Sequence, residues 1–264
     1  MAATPRIIND REQEPYHDRR PDSNFGTYLT WQWGSDDGRL MLRVVGSPIA
    51  MRCSWAAMLG DMHVITGRFK RMPLTTPRAE TRPTTDRTKE AMFSRLESIG
   101  VIDDTRVLDL FGGTGALGIE ALSRGARELV TVESSAQAAQ LIAQTLTALR
   151  RHAGWEEGMS ARVVHAKAER YAAKAKPGEP FDLVLIDPPY AFSTADCEHL
   201  LSDLTVRGLV ARFGAIVLER STRTAPPAAP AGWIMTDRRD YGETAVYTFR
   251  SQEYEQTVQE QSGE

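Results

Sequence analysis

The sequence predicts an α/β protein: a mainly parallel, seven-stranded sheet with helices on both faces and a C-terminal antiparallel hairpin. Three observations carry that prediction. Short apolar runs alternate with stretches of helical spacing from about residue 84 onward. Such alternation builds parallel sheets that are covered on both faces. One apolar run passes through a glycine-rich turn straight into a helix, in "VLDLFGGTGALGIE" (107–120). The last extended stretch, "GWIMTDRRDYGETAVYTFR" (232–250), departs from the alternation and reads as a hairpin.

The elements follow in order. Residues 1–61 show no clean periodicity and receive no fold assignment. "MHVITGRFKRMPL" opens a basic segment, 62–83, that reads as strand, turn, strand. Residues 84–250 form the main domain. Thr84 or Thr85 can cap a helix over "DRTKEAMFSRLES", where Ala91, Met92 and Leu96 fall at helical spacing. "RVLDLF" is a buried strand, and "ALGIEALSRG" a helix ended by Gly125. "ELVTVE", "ARVVHA", "FDLVLID" and "GAIVLER" are the next strands, with helices at 135–151, 168–175 and 194–206 between them. The tail 251–264 carries four Glu and no Lys or Arg, and is expected to be disordered.

Composition excludes several classes. At 264 residues the chain has room for one large domain or two small ones. A formal net charge of -3 advertises no global affinity for nucleic acid, so such a site must be a local patch. Cys53 and Cys197 form no CxxC motif and no Cys/His cluster, which argues against a disulfide framework or a metal site. The N-terminus has no basic-then-apolar signal pattern. Arg43 and Arg52 interrupt the most apolar early stretch, against a membrane span. A cytoplasmic protein is the expectation.

Two motifs carry chemistry. In the first, Gly112, Gly113 and Gly115 let the backbone approach a ligand at the carboxyl end of a strand. No Lys-Ser/Thr follows, so this is not a P-loop. Asp109 precedes the glycines, where it would repel a pyrophosphate but suit a cation, such as the amino group of a methionyl moiety. Glu133 ends the next strand, where an acid can accept hydrogen bonds from two ribose hydroxyls. The second motif is "LIDPPY" (185–190). Proline lacks an N–H, so Pro188 and Pro189 end the strand in a stiff turn that fixes Asp187 and Tyr190 in direction.

These residues resemble the class I S-adenosylmethionine-dependent methyltransferases, with a Rossmann-like fold. "LDLFGGTG" is similar to their first motif, and "DPPY" to the fourth motif of the amino-methylating members. "RPTTDRTKEAMFSRL", "VLDLFGGTGALGIEALSRGA", "LVLIDPPY" and "YGET" match, in order and spacing, the RsmD family. That resemblance spans about residues 62–250. It implies methyl transfer from S-adenosylmethionine, with S-adenosylhomocysteine as product, to the exocyclic N2 of a guanine in 16S rRNA. The substrate would be the 30S subunit or an assembly intermediate, and the enzyme a monomer.

On this resemblance the cofactor is held by Asp109, Phe111, Gly112, Gly113, Thr114, Gly115, Glu133 and Ser134, with Pro83 and Thr84 lying over it. The family's usual adenine-binding Asp after the third strand is missing; Ala168 and Glu169 stand in the segment that would replace it. Met62 sits where the family begins, so residues 1–61 are read either as an added, disordered extension or, the favoured reading, as an upstream stretch included through a misassigned start codon.

The chemistry suits an exocyclic amine, whose lone pair is delocalised into the ring. Asp187 and the Pro188 carbonyl can accept its two hydrogens and aim the lone pair, while Tyr190 stacks on the base, worth ~1–3 kcal/mol. Asp187, Pro188, Pro189 and Tyr190 are therefore the expected catalytic set. Residues 62–90 hold seven Lys/Arg against three acids, a local +4. Arg68, Lys70, Arg71, Arg82 and Arg87 are the expected RNA contacts. A DNA adenine-N6 methyltransferase and a non-catalytic assembly factor are the alternatives. His63, His165, Trp155 and Trp233 are expected to be structural.

Overall fold

The computed structural model describes residues 28–33, 40–45, 62–75, 86–175 and 178–262. The chain divides into two units, Met1–Trp55 and Ala56–Glu264. In the first, β1 (Tyr28–Trp33) and β2 (Leu40–Val45) pair antiparallel.

The second unit carries the expected α/β architecture. Its elements run α1 (Asp86–Ser98), β3 (Arg106–Leu110), α2 (Ala116–Ser123), β4 (Glu128–Glu133), α3 (Ala136–Leu149) and β5 (Ser160–His165). Then come α4 (Ala168–Lys174), β6 (Phe181–Ile186), α5 (Thr194–Val206), β7 (Val210–Ser221), β8 (Trp233–Tyr241), β9 (Thr244–Ser251) and α6 (Gln252–Ser262). Seven strands form one sheet in the order β5-β4-β3-β6-β7-β9-β8. The first five are parallel; β9 runs antiparallel to β7 and β8.

Strands buried on both faces are apolar at most positions, which is why β3, β4 and β6 read as near-continuous runs, with Asp109 and Thr131 as buried polar exceptions. Alternate residues feed two cores. Leu183, Leu185 and Val217 pack with Met92, Phe93 and Leu96 of α1 and with α2. Val184, Ile186 and Leu218 pack with Leu200, Leu201 and Leu204 of α5.

Among the described residues of the basic segment, 62–75, the chain reverses direction but pairs through the single bridge His63–Pro73 rather than through two strands. What holds it is α2. Glu120, fully buried, accepts from the Ile65 N–H (2.8 Å) and the Thr66 N–H (3.0 Å). Ser123 Oγ accepts from the Phe69 N–H (3.0 Å). Gly67 makes the close approach possible, since a Cβ there would lie 2.0 Å from the Ser123 carbonyl oxygen.

The C-terminal tail corrects the sequence reading. Instead of disorder, residues 252–262 form α6. Ser251 Oγ accepts from the Tyr254 N–H (3.2 Å), an N-cap bond, and the Arg250 guanidinium lies 4.3 Å from the centre of the Tyr254 ring. Glu and Gln are good helix formers, so the cap, the two contacts of the Tyr254 ring with Arg250 and Phe213, and the Arg212–Glu253 ion pair hold a helix in a segment whose composition is polar.

Candidate active site

Sequential strands leave β3 in opposite directions, β4 and β5 to one side, β6 and β7 to the other. A crevice opens above the carboxyl ends of strands at such a switch point. Here it is a cleft of about 960 Å³. Asp109, Phe111, Gly112, Gly113 and Thr114 line it from β3, Glu133 and Ser134 from β4, and Asp187, Pro188, Pro189 and Tyr190 from β6.

The glycine turn is built by close packing. Phe111 takes φ 62, a left-handed conformation rare for a residue with a Cβ, and its ring meets Phe192 edge-on at 5.1 Å. The Gly112 N–H donates to the Val132 carbonyl (2.9 Å), and a Cβ at Gly112 would lie 2.2 Å from Thr131 Cγ2. Gly115 (φ 77) is the N-cap of α2; it shapes the turn without lining the cleft.

Glu133 is oriented by three donors. Its Oε2 accepts from the Gly113 N–H (2.7 Å), and its Oε1 from the Ser135 N–H (2.6 Å) and Ser134 Oγ (3.3 Å). A carboxylate has about four lone-pair sites, so one remains for a ligand.

Asp109 is 1 % exposed and accepts the Gly118 N–H at 3.2 Å. Burial pushes its carboxyl up to about 8, and the negative charges of Asp187 and Glu133 push the same way, against the smaller effect of the Gly118 bond. Asp187 sits one residue past the last residue of β6. Its surface opens to the cleft, yet protein surrounds it on most sides, and the lost hydration pushes it up to about 6. The Phe192 N–H donates to the Pro189 carbonyl (2.8 Å) and closes the turn. Tyr190 is 76 % exposed, so its ring is not a packing residue.

Other predicted residues are placed differently. Ala168 is buried and Glu169 exposed at the start of α4, and neither lines the cleft. Arg68 is engaged by Glu156 (2.8 Å). Lys70 and Arg71 are exposed, and Arg87 lines the cleft. Arg82, Pro83 and Thr84 lie outside the described residues. His165 Nε2 lies 3.0 Å from the Ser134 carbonyl oxygen, and Trp155 and Trp233 pack against the two cores.

Sequence reasoning missed Lys89, Glu219 and Arg220, all buried and all lining the cleft; the rim formed by Tyr241, Gly242, Glu243 and Thr244 is the "YGET" stretch, which the resemblance marked but to which no site role was given. Glu219 had a visible signal. Like Asp109, Glu133 and Asp187, it stands at the carboxyl end of an apolar strand.

The family described as Conserved hypothetical protein 95 matches residues 62–250. The chain belongs to that family. The match covers the span over which the sequence resembles the RsmD family, and that recognition stands. Within the family, the Escherichia coli protein named Ribosomal RNA small subunit methyltransferase D is 32% identical over 192 residues, covering 72% of this chain and 90% of that protein. The solved structure of the Escherichia coli protein yhhF has 32% identity and a TM-score of 0.62, covering 73% of this chain and 98% of that one. A hypothetical protein of Thermus thermophilus has 31% identity and a TM-score of 0.58, covering 71% and 98%. Family and fold thus meet on residues 62–250, which contain the whole cleft.

Proposed function

We propose that this protein transfers a methyl group from S-adenosylmethionine to the exocyclic N2 amine of a guanine in 16S rRNA, in the cytoplasm, acting as a monomer on the 30S subunit or its assembly intermediate. The observation that carries this reading is the Asp187–Pro188–Pro189–Tyr190 turn, which lines the cleft together with the glycine turn of β3. The relative named Ribosomal RNA small subunit methyltransferase D supports the rRNA substrate.

The residues of the cleft fit the cofactor. Asp109 is a buried carboxyl with one hydrogen bond from the backbone, and it needs a cation to ionise comfortably. An amino-acid ammonium supplies one. Glu133, oriented by three donors, keeps one lone-pair site, which fits one hydroxyl of a ribose diol rather than the two expected from the sequence. When bound, the cofactor supplies an electrophilic methyl on a sulfonium. The protein supplies the rest. Asp187 accepts one hydrogen of the target amine and the Pro188 carbonyl the other, so the lone pair points along the line of displacement. Tyr190, exposed at the rim, stacks on the extruded base. No strong base is required, because the amine becomes acidic only as it is methylated; Asp187, already accepting that hydrogen, would then take the proton, and S-adenosylhomocysteine would leave as the neutral thioether. Most of the acceleration is positional, on the order of 7–11 kcal/mol. Lys70, Arg71 and Arg87 are cations available to phosphates; Arg68 would first have to leave Glu156.

The test is to incubate the protein with methyl-labelled S-adenosylmethionine and unmethylated 30S particles, naked 16S rRNA or DNA, then identify the labelled nucleoside. Label in N2-methylguanosine is the expected outcome. Label only in N6-methyladenine from DNA overturns the substrate, and no label despite cofactor binding overturns catalysis.

A further inference from the structure

Asp187 does not stand alone at the end of its strand. Ile186 of β6 pairs in parallel with Leu218 of β7, so Asp187 and Glu219 come next on neighbouring strands. Residues paired across a sheet lean to the same face, on strands about 4.8 Å apart. That face is the one Leu185 and Val217 share with α1. Glu219 is 3 % exposed and lines the same cleft as Asp187.

The first turn of α1 adds a cation. Lys89 lines the cleft and is 2 % exposed, and its Nζ makes no hydrogen bond among the described residues; Asp86 Oδ1 lies 3.6 Å away. Buried polar groups are nearly always hydrogen-bonded, so an ammonium without such a bond in a cleft points to a ligand that completes it. A ligand seated there would meet two adjacent carboxylates as acceptors, and in the Lys89 ammonium a donor that lacks a hydrogen bond.

We infer that Glu219 and Lys89 read the Watson–Crick edge of the target guanine, Glu219 accepting its N1–H and Lys89 donating to its O6, while Asp187 holds the amine. This rests on the proposed guanine-N2 reaction and adds the groups that choose the base. Guanine presents an amine, a ring N–H and a carbonyl on one edge. Two carboxylates and one ammonium are the matching set. Adenine has a lone pair at N1, which would face the Glu219 carboxylate acceptor to acceptor. Sites that leave buried polar groups unpaired with the wrong ligand discriminate by up to ~10⁴-fold.

The experiment uses 30S particles reconstituted with 16S rRNA carrying guanine or 2-aminopurine at the methylated position. 2-Aminopurine keeps the amine, but has a ring lone pair at N1 and no O6. The wild-type protein should prefer guanine by about a hundredfold in kcat/KM. In Glu219→Gln the new amide N–H can donate to the N1 lone pair. Guanine methylation should fall roughly a hundredfold, and the preference should move towards 2-aminopurine by about tenfold or more. Lys89→Met should slow guanine methylation roughly tenfold and leave 2-aminopurine, which lacks O6, unaffected. Cofactor affinity, measured by calorimetry, should stay unchanged in both variants.

Equal losses on the two bases in Glu219→Gln would overturn the inference, as would a wild-type protein that accepts both bases equally. Weakened cofactor binding in Lys89→Met would overturn the O6 assignment. Should Glu219→Gln fail to fold, the wild-type ratio and Lys89→Met decide. A wild-type protein that leaves guanine unlabelled removes the proposed function itself, a result distinct from a lost preference.

Discussion

Replacing Asp109 by Asn should stabilise the free protein and disable its proposed cofactor site together. Asp109 is 1 % exposed, and burial pushes its carboxyl from an ordinary 3.8 up to about 8. Because the folded value is raised, the stability this group contributes is fully present below pH 4 and is lost as pH climbs towards 8. Between those limits the folded carboxyl is protonated while the unfolded one is ionised, so each pH unit costs about 1.4 kcal/mol. At pH 7 the accumulated cost is on the order of 4 kcal/mol. Asn has nearly the same shape, can keep the Gly118 N–H bond through its carbonyl oxygen, and does not titrate. The advantage of the variant over wild type should be near zero at pH 4 and grow to the order of 4 kcal/mol at pH 7. Urea unfolding of both proteins at pH 5 and pH 8, without cofactor, measures this. Calorimetric binding of S-adenosylmethionine measures the other half, where the variant should bind at least tenfold more weakly, about 1.4 kcal/mol, for want of a counter-charge. A stability difference that is the same at both pH values would refute the reasoning on burial. Unchanged cofactor affinity would refute the assignment of Asp109 to the ammonium.

Three further outcomes follow from the same geometry. Asp187 must be ionised to accept an amine hydrogen, and its carboxyl is pushed up to about 6, so the methylation rate should rise as pH passes through about 6 and level off above it. A rate independent of pH from 5 to 8 counts against that role. Tyr190→Ala should raise the KM for the RNA substrate by an amount worth ~1–3 kcal/mol, with Tyr190→Phe close to wild type and cofactor affinity unchanged in both; a loss in Tyr190→Phe equal to that in Tyr190→Ala excludes stacking. Glu120→Ala removes the acceptor for two backbone N–H groups of the basic segment and one partner of the buried Arg124 guanidinium (2.8 Å), and should cost about 3 kcal/mol or more in urea unfolding. Trypsin should then cut faster at Lys70 and Arg71, and an unchanged cleavage rate would show that α2 does not hold the segment.

What the sequence made legible, and what it hid, follow one physical division. α1, β4 and α5 lie at the bounds read from pattern alone, because a strand covered on both faces needs a near-continuous apolar run and a helix against it needs an apolar stripe. Asp109, Glu133 and Asp187 were visible for the converse reason: each is an acid where an apolar strand ends. Glu219 carries the same mark, but it belongs to no motif of fixed spacing. Its place beside Asp187 comes from the pairing of Ile186 with Leu218, a register between strands that no local pattern encodes. Lys89 counted as one charge in a basic run until the docking of α1 buried it. The same run lost Arg68 to Glu156, a partner distant in sequence. Chemistry that sits at the end of one strand can thus be read along the chain. Chemistry that needs two strands side by side, or a helix laid over them, emerges only once the sheet is assembled. That is why the residues proposed to transfer the methyl group were legible, while those inferred to choose the base were not.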